Sequence, residues 1–205
     1  MQQLIKDLIE KKYLITPNII DAFVSIDRID FVPENLKNQA YYDIPLPIGY
    51  GQTISQPRTV AFMLELLKPT EGDIILDIGS GSGWQSSLLA HIDGDSGKVF
   101  AIEIVSELSE FGQNNSKKYK FNNLKFIVGD GSRGLEKEAP FDKIIIAASA
   151  FKKIPEELYK QLKIGGRLVT PVDNSIWLVI KRSNDKLEKQ EFPGFVFVPL
   201  IEREE

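Results

Sequence analysis

Residues 77–83 combine residue types and a spacing that could bind a nucleotide-like ligand. Asp77 is followed by glycines at alternate positions, with serines between them. Such glycines let the backbone turn without Cβ clashes and expose main-chain amides to a ligand. An apolar run precedes the segment and a helix-like sequence follows it, which favours a strand, a tight turn and a helix N-terminus that bind a ligand. The alternative is an ordinary β-α turn followed by an acidic loop, without a ligand. The candidate ligand-binding residues here are Asp77, Gly79, Ser80, Gly81, Ser82 and Gly83.

Two acidic residues follow the ends of later apolar runs. Glu103 ends the run 99–102, at a distance from the glycine turn where a carboxylate could accept both ribose hydroxyls of a nucleoside. Asp130 could accept a hydrogen bond from an adenine amino group, while Gly131 would let the base approach. The alternatives are a solvated loop carboxylate at position 103 and a plain Asp-Gly turn at 130–131.

Residue 84 argues against a nicotinamide dinucleotide site. The dinucleotide fingerprint G-x-G-x-x-G would require a glycine at this position. Trp84 is there instead. A nicotinamide-dependent dehydrogenase is therefore a weak interpretation of the turn.

A second candidate site lies at the start of a predicted helix. Pro57 suits a first helical position, so Thr53 and Ser55 would place hydroxyl groups beside free amide donors. That combination could hold an anion. Simple helix capping is the alternative.

The composition excludes several kinds of chemistry. The 205 residues contain no cysteine, so disulfides, thiolate nucleophiles and cysteine-ligated metals are ruled out. His91 is the single histidine and is interpreted as a partly exposed helix residue. The net charge of −4 argues against a protein whose affinity comes from neutralising phosphates. We expect no metal, no nucleic-acid partner and, since no uncharged apolar run has transmembrane length, no membrane association.

Two helices and an irregular segment are predicted before the glycine turn. Residues 2–12 have the spacing of an amphipathic helix, and a second helix is expected to start with Thr16 as its cap and Pro17 at its first position. Residues 40–51 are rich in proline, glycine and tyrosine, which favours a shaped loop over a helix or a ladder strand. The second helix should bury Ile19, Ile20, Phe23 and Val24.

From residue 72 the pattern alternates strand, turn and helix, which predicts an α/β fold: a Rossmann-like, doubly wound, mostly parallel sheet with an antiparallel C-terminal hairpin and an N-terminal helical cap. In such sheets, ligands bind beyond the carboxyl ends of the strands, where the strand order reverses. The loops at 77–83, 103, 129–131 and 147–149 should therefore form one site. Strands are predicted at 74–78, 99–104, 124–128, 143–147 and 167–171, helices at 84–90, 107–119 and 155–162, and the hairpin at 177–181 and 187–192.

The turn at 77–83 resembles the first motif of class I methyltransferases that use S-adenosylmethionine. Over nearly its whole length the chain resembles the protein-L-isoaspartate O-methyltransferase family, which repairs isomerised aspartates in damaged proteins. The most specific part is PLPIGYGQTISQP at residues 45–57. Further matches are Asp27-Arg28 and residues 31–33, 40–41, 129–131, 139–142, 162–169 and 197–200.

The resemblance implies roles for individual residues. Ser55 matches the active-site serine of the family, and Ile54, Ser82, Glu103, Asp130 and Gly131 match positions that contact the cofactor. Thr53, Ala148 and Ser149 are the expected substrate-binding residues. The chain departs from the family at 148–151, where Ala-Ser-Ala-Phe replaces the more usual Ala-Ala-Pro and bears on the fit of the substrate.

The function implied is methyl transfer from S-adenosylmethionine to the α-carboxylate of L-isoaspartyl residues, leaving S-adenosylhomocysteine. A carboxylate with a pKa near 4 is already ionised at neutral pH, so no general base is needed. The alternatives are a methyltransferase acting on a small molecule or RNA, and a non-catalytic cofactor-binding module. We expect one domain over 1–205, with 1–69 supplying helices and a covering loop and 70–205 the Rossmann-like core, in a cytoplasmic monomer that acts on isoaspartyl proteins and peptides.

Overall fold

A seven-stranded sheet positions the candidate site. The structure, a computed structural model, describes residues 1–148 and 153–197. The strands of the main sheet are β3 (Ile74–Ile78), β4 (Lys98–Glu103), β5 (Leu124–Val128), β6 (Phe141–Ile146), β7 (Leu162–Val172), β8 (Ser175–Ser183) and β9 (Lys186–Pro193). A separate two-stranded sheet consists of β1 (Leu46–Gly49) and β2 (Gln52–Ile54). The helices are α1 (Gln2–Glu10), α2 (Pro17–Ser25), α3 (Pro57–Leu67), α4 (Trp84–Asp93), α5 (Ser106–Ser116) and α6 (Glu156–Gln161).

The strand order is β5-β4-β3-β6-β7-β8-β9. Strands β3 to β7 pair in parallel, whereas β8 and β9 pair antiparallel with their neighbours. The order reverses between β3 and β6, where a crevice is expected beyond the carboxyl ends of the strands. The predicted doubly wound fold and its C-terminal hairpin are confirmed.

Alternation along the strands divides the core into two layers. Ile75 faces a cluster that includes residues of α1 to α5, whereas its neighbour Leu76 faces a second cluster that includes Leu158 of α6. All three side chains are fully buried. Because both faces of the sheet are covered, its central strands are near-continuous apolar runs in the sequence.

Two details of the N-terminal helices differ from the prediction. Val24 was expected to face inward but is 61% exposed, since α2 buries the face that carries Ile19 and Phe23. Thr16 occupies the cap position of α2, yet its hydroxyl donates to the carboxylate of Glu65 on α3 at 2.6 Å instead of capping the helix. A partner outside the helix therefore replaces the local capping bond.

The prediction that residues 40–51 hold no ladder strand is wrong in part. Strands β1 and β2 pair as a short antiparallel hairpin, with Pro47 opposite Thr53. Proline is tolerated here because both strands of a two-stranded sheet are edge strands. Ile48 on β1 packs so near the glycine turn that a Cβ built on Gly81 would lie 3.2 Å from its Cδ1 atom. The hairpin therefore covers the turn.

Candidate active site

A cleft opens at the carboxyl edge of the sheet, where the strand order reverses. The wall on one side is the hairpin and the start of α3, and the wall on the other is the set of loops after β3 to β6. The predicted site residues that line it are Thr53, Ile54, Ser55, Gly79, Ser80, Gly81, Ser82, Glu103, Gly131 and Ala148.

The glycine turn is held by main-chain bonds to β4. The amides of Gly79 and Ser80 both donate to the carbonyl of Ile102, at 2.8 and 3.1 Å. Gly83 is the N-cap residue before α4 and has φ of +82°, and a Cβ there would lie 2.7 Å from the carbonyl oxygen of Gly112 on α5. Gly83 thus allows α4 and α5 to approach closely. It is predicted to bind the ligand but is not among the described residues that line the cleft.

Glu103 joins the turn to the end of β4. One carboxylate oxygen accepts the Gly81 amide at 2.9 Å and the other accepts the Val105 amide at 3.1 Å. The side chain is 6% exposed and lines the cleft. A buried carboxylate held by two amides is well placed to accept hydrogen bonds from the hydroxyl groups of a nucleoside.

Asp77 is placed differently from the other acidic site residue. Its carboxylate is fully buried and accepts hydrogen bonds from Gln85 at 2.8 Å and Ser86 at 2.6 Å, both on α4. Burial raises its pKa to about 6, an effect that these two bonds oppose and the charge of Glu103 reinforces. Asp77 does not line the cleft in the described structure, so its geometry fits a residue that positions α4 better than the predicted cofactor ligand.

Asp130 and Gly131 lie at the edge of the cleft after β5. The Asp130 carboxylate accepts the Ser132 amide at 2.9 Å and caps a short 3₁₀ helix, Gly131–Arg133. Gly131 lines the cleft, and the approach of a base to it stays a prediction. A Cβ at this position would also lie 2.3 Å from Cγ2 of Ile78, so the glycine lets this loop pack against the end of β3. The contact of Asp130 with an adenine stays a prediction.

Ser55 lies between β2 and α3, on the wall opposite the glycine turn. It lines the cleft with Thr53 and with Ile54, which is 3% exposed. The Ser55 carbonyl accepts a hydrogen bond at 3.1 Å from the guanidinium of Arg28, and the next residue, Gln56, donates to the carbonyl of Asp43 at 2.7 Å. This wall, called the Ser55 wall below, is therefore hydrogen-bonded to residues that precede the hairpin.

Sequence reasoning missed several residues that shape the cleft. Ala148 lines it as predicted, whereas Ser149 lies outside the described residues. Ile78, Gly129 and Ala147 also line it and lie in the loops that were predicted to form the site, and Gln52 lies in the specific segment 45–57. Ile102 was missed, although its place at the end of a strand before Glu103 could have indicated it. The remaining lining residues that were missed are Val60, Trp84, Gln85 and Ile104.

The donor set of the cleft fits an adenosyl sulfonium cofactor. The hydroxyl oxygen of Ser80 is buried in its wall and has no hydrogen-bond partner among the described residues, as expected where a ligand completes the contacts. The carboxylates of Glu103 and, beneath the turn, Asp77 give this end negative character that suits a cation. Within 1–148 and 153–197, no group of His, Asp and Glu side chains is arranged to hold a metal.

The fold and this cleft define a class I methyltransferase that uses S-adenosylmethionine. In agreement, the chain is similar to an S-adenosylmethionine-dependent O-methyltransferase from Thermotoga maritima, with a TM-score of 0.53 and 25% identity over 77% of this chain and 70% of that one. A membrane-crossing helix is not found in the part of the chain that the structure describes.

The protein-L-isoaspartate(D-aspartate) O-methyltransferase family matches residues 1–205, and this chain belongs to that family. Protein-L-isoaspartate O-methyltransferase from Ignicoccus hospitalis is 42% identical over 99% of this chain and 98% of its own. Protein-L-isoaspartate O-methyltransferase 2 from Archaeoglobus fulgidus is 48% identical over 89% of this chain and 84% of its own. A Plasmodium falciparum member solved with S-adenosyl-L-homocysteine has a TM-score of 0.86 at 25% identity, covering 98% of both chains.

Proposed function

We propose that this protein transfers the methyl group of S-adenosylmethionine to the α-carboxylate of L-isoaspartyl residues in damaged proteins and peptides. Membership of the family supports the reaction. The observation that carries the assignment of the site is that one cleft has Ser55 on one wall and the glycine turn with Glu103 on the other. A cofactor and a carboxylate substrate can therefore meet between the two walls.

The reaction requires alignment more than acid or base chemistry. When bound, the cofactor supplies an electrophilic methyl group on a sulfonium. A carboxylate oxygen forms the new C–O bond, the S–CH₃ bond breaks, and its electron pair stays on sulfur, so no proton moves. The carboxylate is ionised at neutral pH, which fits a protein without cysteine and with a single histidine. Orientation alone can contribute roughly 7 to 11 kcal/mol in well-aligned systems.

On the cofactor side, we assign Glu103 to the ribose hydroxyls and the turn of Gly79 to Ser82 to the rest of the nucleoside and its amino-acid part. The Ser80 hydroxyl of this turn lies in the wall of the cleft as a potential hydrogen-bonding group for the cofactor, whereas the amides of Gly79, Ser80 and Gly81 already donate to β4. Ile54 supplies apolar contact from the opposite wall. Asp130 is assigned to the adenine, because the residues on both sides of it line the cleft.

On the substrate side, we assign Ser55 to orienting the attacking carboxylate oxygen, and Thr53, Ala148 and Ser149 to binding the substrate. Serine supplies a hydroxyl donor that can bind a carboxylate without reacting with it. The loop before the cleft leaves several large side chains exposed, and an unfolded peptide segment could lie against them: Tyr42 at 59%, Ile44 at 42% and Tyr50 at 60%.

Residues 1–69 and 70–205 are proposed to act as one domain, the first part covering the site that the second forms. A buried cluster that includes Leu4 and Phe23 from the first part and Ile145 and Ile176 from the second supports this. We further propose that the protein acts as a cytoplasmic monomer without a nucleic-acid partner.

The test is methyl transfer from labelled S-adenosylmethionine to a peptide that contains L-isoaspartate, with the normal aspartyl peptide as control. Wild-type protein should form a base-labile methyl ester on the first peptide only. Ser55→Ala should lower kcat at least about tenfold while the Kd for S-adenosylhomocysteine changes less than twofold, since one transition-state contact is lost. Ser106→Ala, at an exposed helix start, is the matched control and should leave both unchanged.

Other outcomes would redirect the assignment. Cofactor binding without transfer to either peptide would favour a small-molecule or RNA substrate, or a non-catalytic module. Equal losses of turnover and cofactor affinity in Ser55→Ala would contradict the role given to Ser55.

A further inference from the structure

Arg28 is buried at the base of the substrate-side wall. It begins the 3₁₀ helix Arg28–Phe31 and is 0% exposed. Its Nη1 donates to the carbonyl of Ala40 at 2.7 Å, and its Nη2 donates to the carbonyls of Ile44 and Ser55, each at 3.1 Å. One rigid guanidinium thus holds three main-chain points of the segment 40–55, because its donors fan out in a fixed plane.

The charge of Arg28 is retained despite burial. Desolvation lowers its pKa to about 10, an effect partly offset by the charge of Asp43, so the group is cationic at neutral pH. Its Nε has no hydrogen-bond partner among the described residues, and the guanidinium carbon lies 5.3 Å from the centre of the Trp84 ring. Asp43 itself contacts the main chain and side chain of Arg58, at 2.9 and 3.8 Å.

We infer that Arg28 is a positioning residue for the substrate carboxylate. Arg28 fixes the backbone of Ser55 relative to the cleft. Its guanidinium is hydrogen-bonded to that backbone, so its positive charge also favours the approach of an anion. The inference rests on the proposed role of Ser55, and the guanidinium itself contacts neither reactant.

The hydrogen bonds that hold the glycine turn do not involve Arg28, whose contact on the cofactor side is with the ring of Trp84 at the start of α4. The glycine turn is bonded to Ile102 and Glu103 on β4, and the Ser82 carbonyl accepts a hydrogen bond from Asn115 on α5 at 3.0 Å. Loss of the guanidinium should therefore loosen the Ser55 wall and leave the turn in place. A loss of turnover with cofactor affinity retained would therefore distinguish this role of Arg28 from a general loss of stability.

The experiment compares Arg28→Lys with wild type in the isoaspartyl peptide assay at 25 °C. Lysine keeps the charge but cannot present the same planar set of donors to three carbonyls. We expect kcat/KM to fall about 10- to 100-fold, with kcat reduced and KM raised, from the loss of charge-assisted hydrogen bonds. The Kd for S-adenosylhomocysteine, measured by calorimetry on the folded protein, should change less than threefold.

Arg167→Lys is the matched control. Arg167 is part-buried, and its Nε–H, like the guanidinium of Arg28, donates to a main-chain carbonyl, here that of Leu66 at 2.7 Å. It does not line the cleft in the described structure. Its substitution should leave kcat/KM and cofactor affinity within twofold of wild type.

The results for wild type and for Arg28→Lys test the proposed function and the role of Arg28 separately. Absence of turnover in wild type would refute the proposed function. Active wild type with Arg28→Lys turnover within twofold would refute the role of Arg28, and so would an equal loss of cofactor affinity. If Arg28→Lys does not fold, hydrogen exchange is measured on the wild-type protein instead. Amides in 40–55 that are protected as strongly as those of α3 would support the inference. Exchange of these amides at the rate of an exposed loop would overturn it.

Discussion

Replacing Asp93 with asparagine should stabilise the protein at alkaline pH. Asp93 is the last residue of α4 and is 0% exposed, and neither of its carboxylate oxygens has a hydrogen-bond partner in the described structure. Burial first, and then the charges of Asp73 and Asp142, raise its pKa to about 7, which nearby main-chain amides offset only in part. The C-terminal end of a helix also disfavours a negative charge.

The sign and size of the effect follow from the two pKa values. Between pH 3.8 and about 7 the folded protein keeps the proton that the unfolded chain has lost, so stability falls as pH rises. Above pH 7 the loss is complete and amounts to about 4 kcal/mol at about 1.4 kcal/mol for each pKa unit. Asparagine avoids this loss but buries an amide donor, which costs about 1–3 kcal/mol. The expected net gain at pH 8.5 is about 1–3 kcal/mol, and it should vanish by pH 5.

The assay is urea unfolding of wild type and Asp93→Asn at pH 5, 7 and 8.5, followed by circular dichroism. Asp95→Asn, in the exposed turn two residues later, is the control and should show no such pH dependence. A constant difference in the free energy of unfolding between wild type and Asp93→Asn across this range would refute the reasoning. It would mean that the carboxylate is ionised without penalty.

Two further predictions concern the cofactor side. Glu103→Gln should weaken S-adenosylhomocysteine binding about 10- to 100-fold by calorimetry, because a neutral amide has one acceptor oxygen where the carboxylate has two, and both of these already accept main-chain amides. An unchanged Kd would contradict the proposed contact of Glu103 with the ribose. Gly131→Ala should lower the free energy of unfolding by about 1–3 kcal/mol, because its Cβ would press on Ile78. Gly129→Ala, whose Cβ would meet nothing within 4 Å, should not, and equal stability of the two variants would contradict the packing argument.

The sequence determined the parts of this protein that depend on local patterns. Apolar runs bounded by glycines specify where strands such as Ile74–Ile78 end, and parallel order then brings Glu103 and the turn at 79–82 to one edge of the sheet. Pro57 marked the start of α3 and placed Ser55 before it. These predictions succeeded because the signals lie within a few residues of the feature they describe.

Only the tertiary structure decided which partner each polar group and glycine has. Asp77 accepts hydrogen bonds from α4, Gly131 makes room for Ile78, and the hydroxyl of Thr16 donates to Glu65, and no local sequence rule indicates these partners. The three bonds from Arg28 reach main-chain carbonyls that lie 12, 16 and 27 positions further along the sequence. Such contacts depend on how distant elements pack. Burial removes water as a hydrogen-bond partner, so a buried polar group bonds to whichever protein group lies nearest in space.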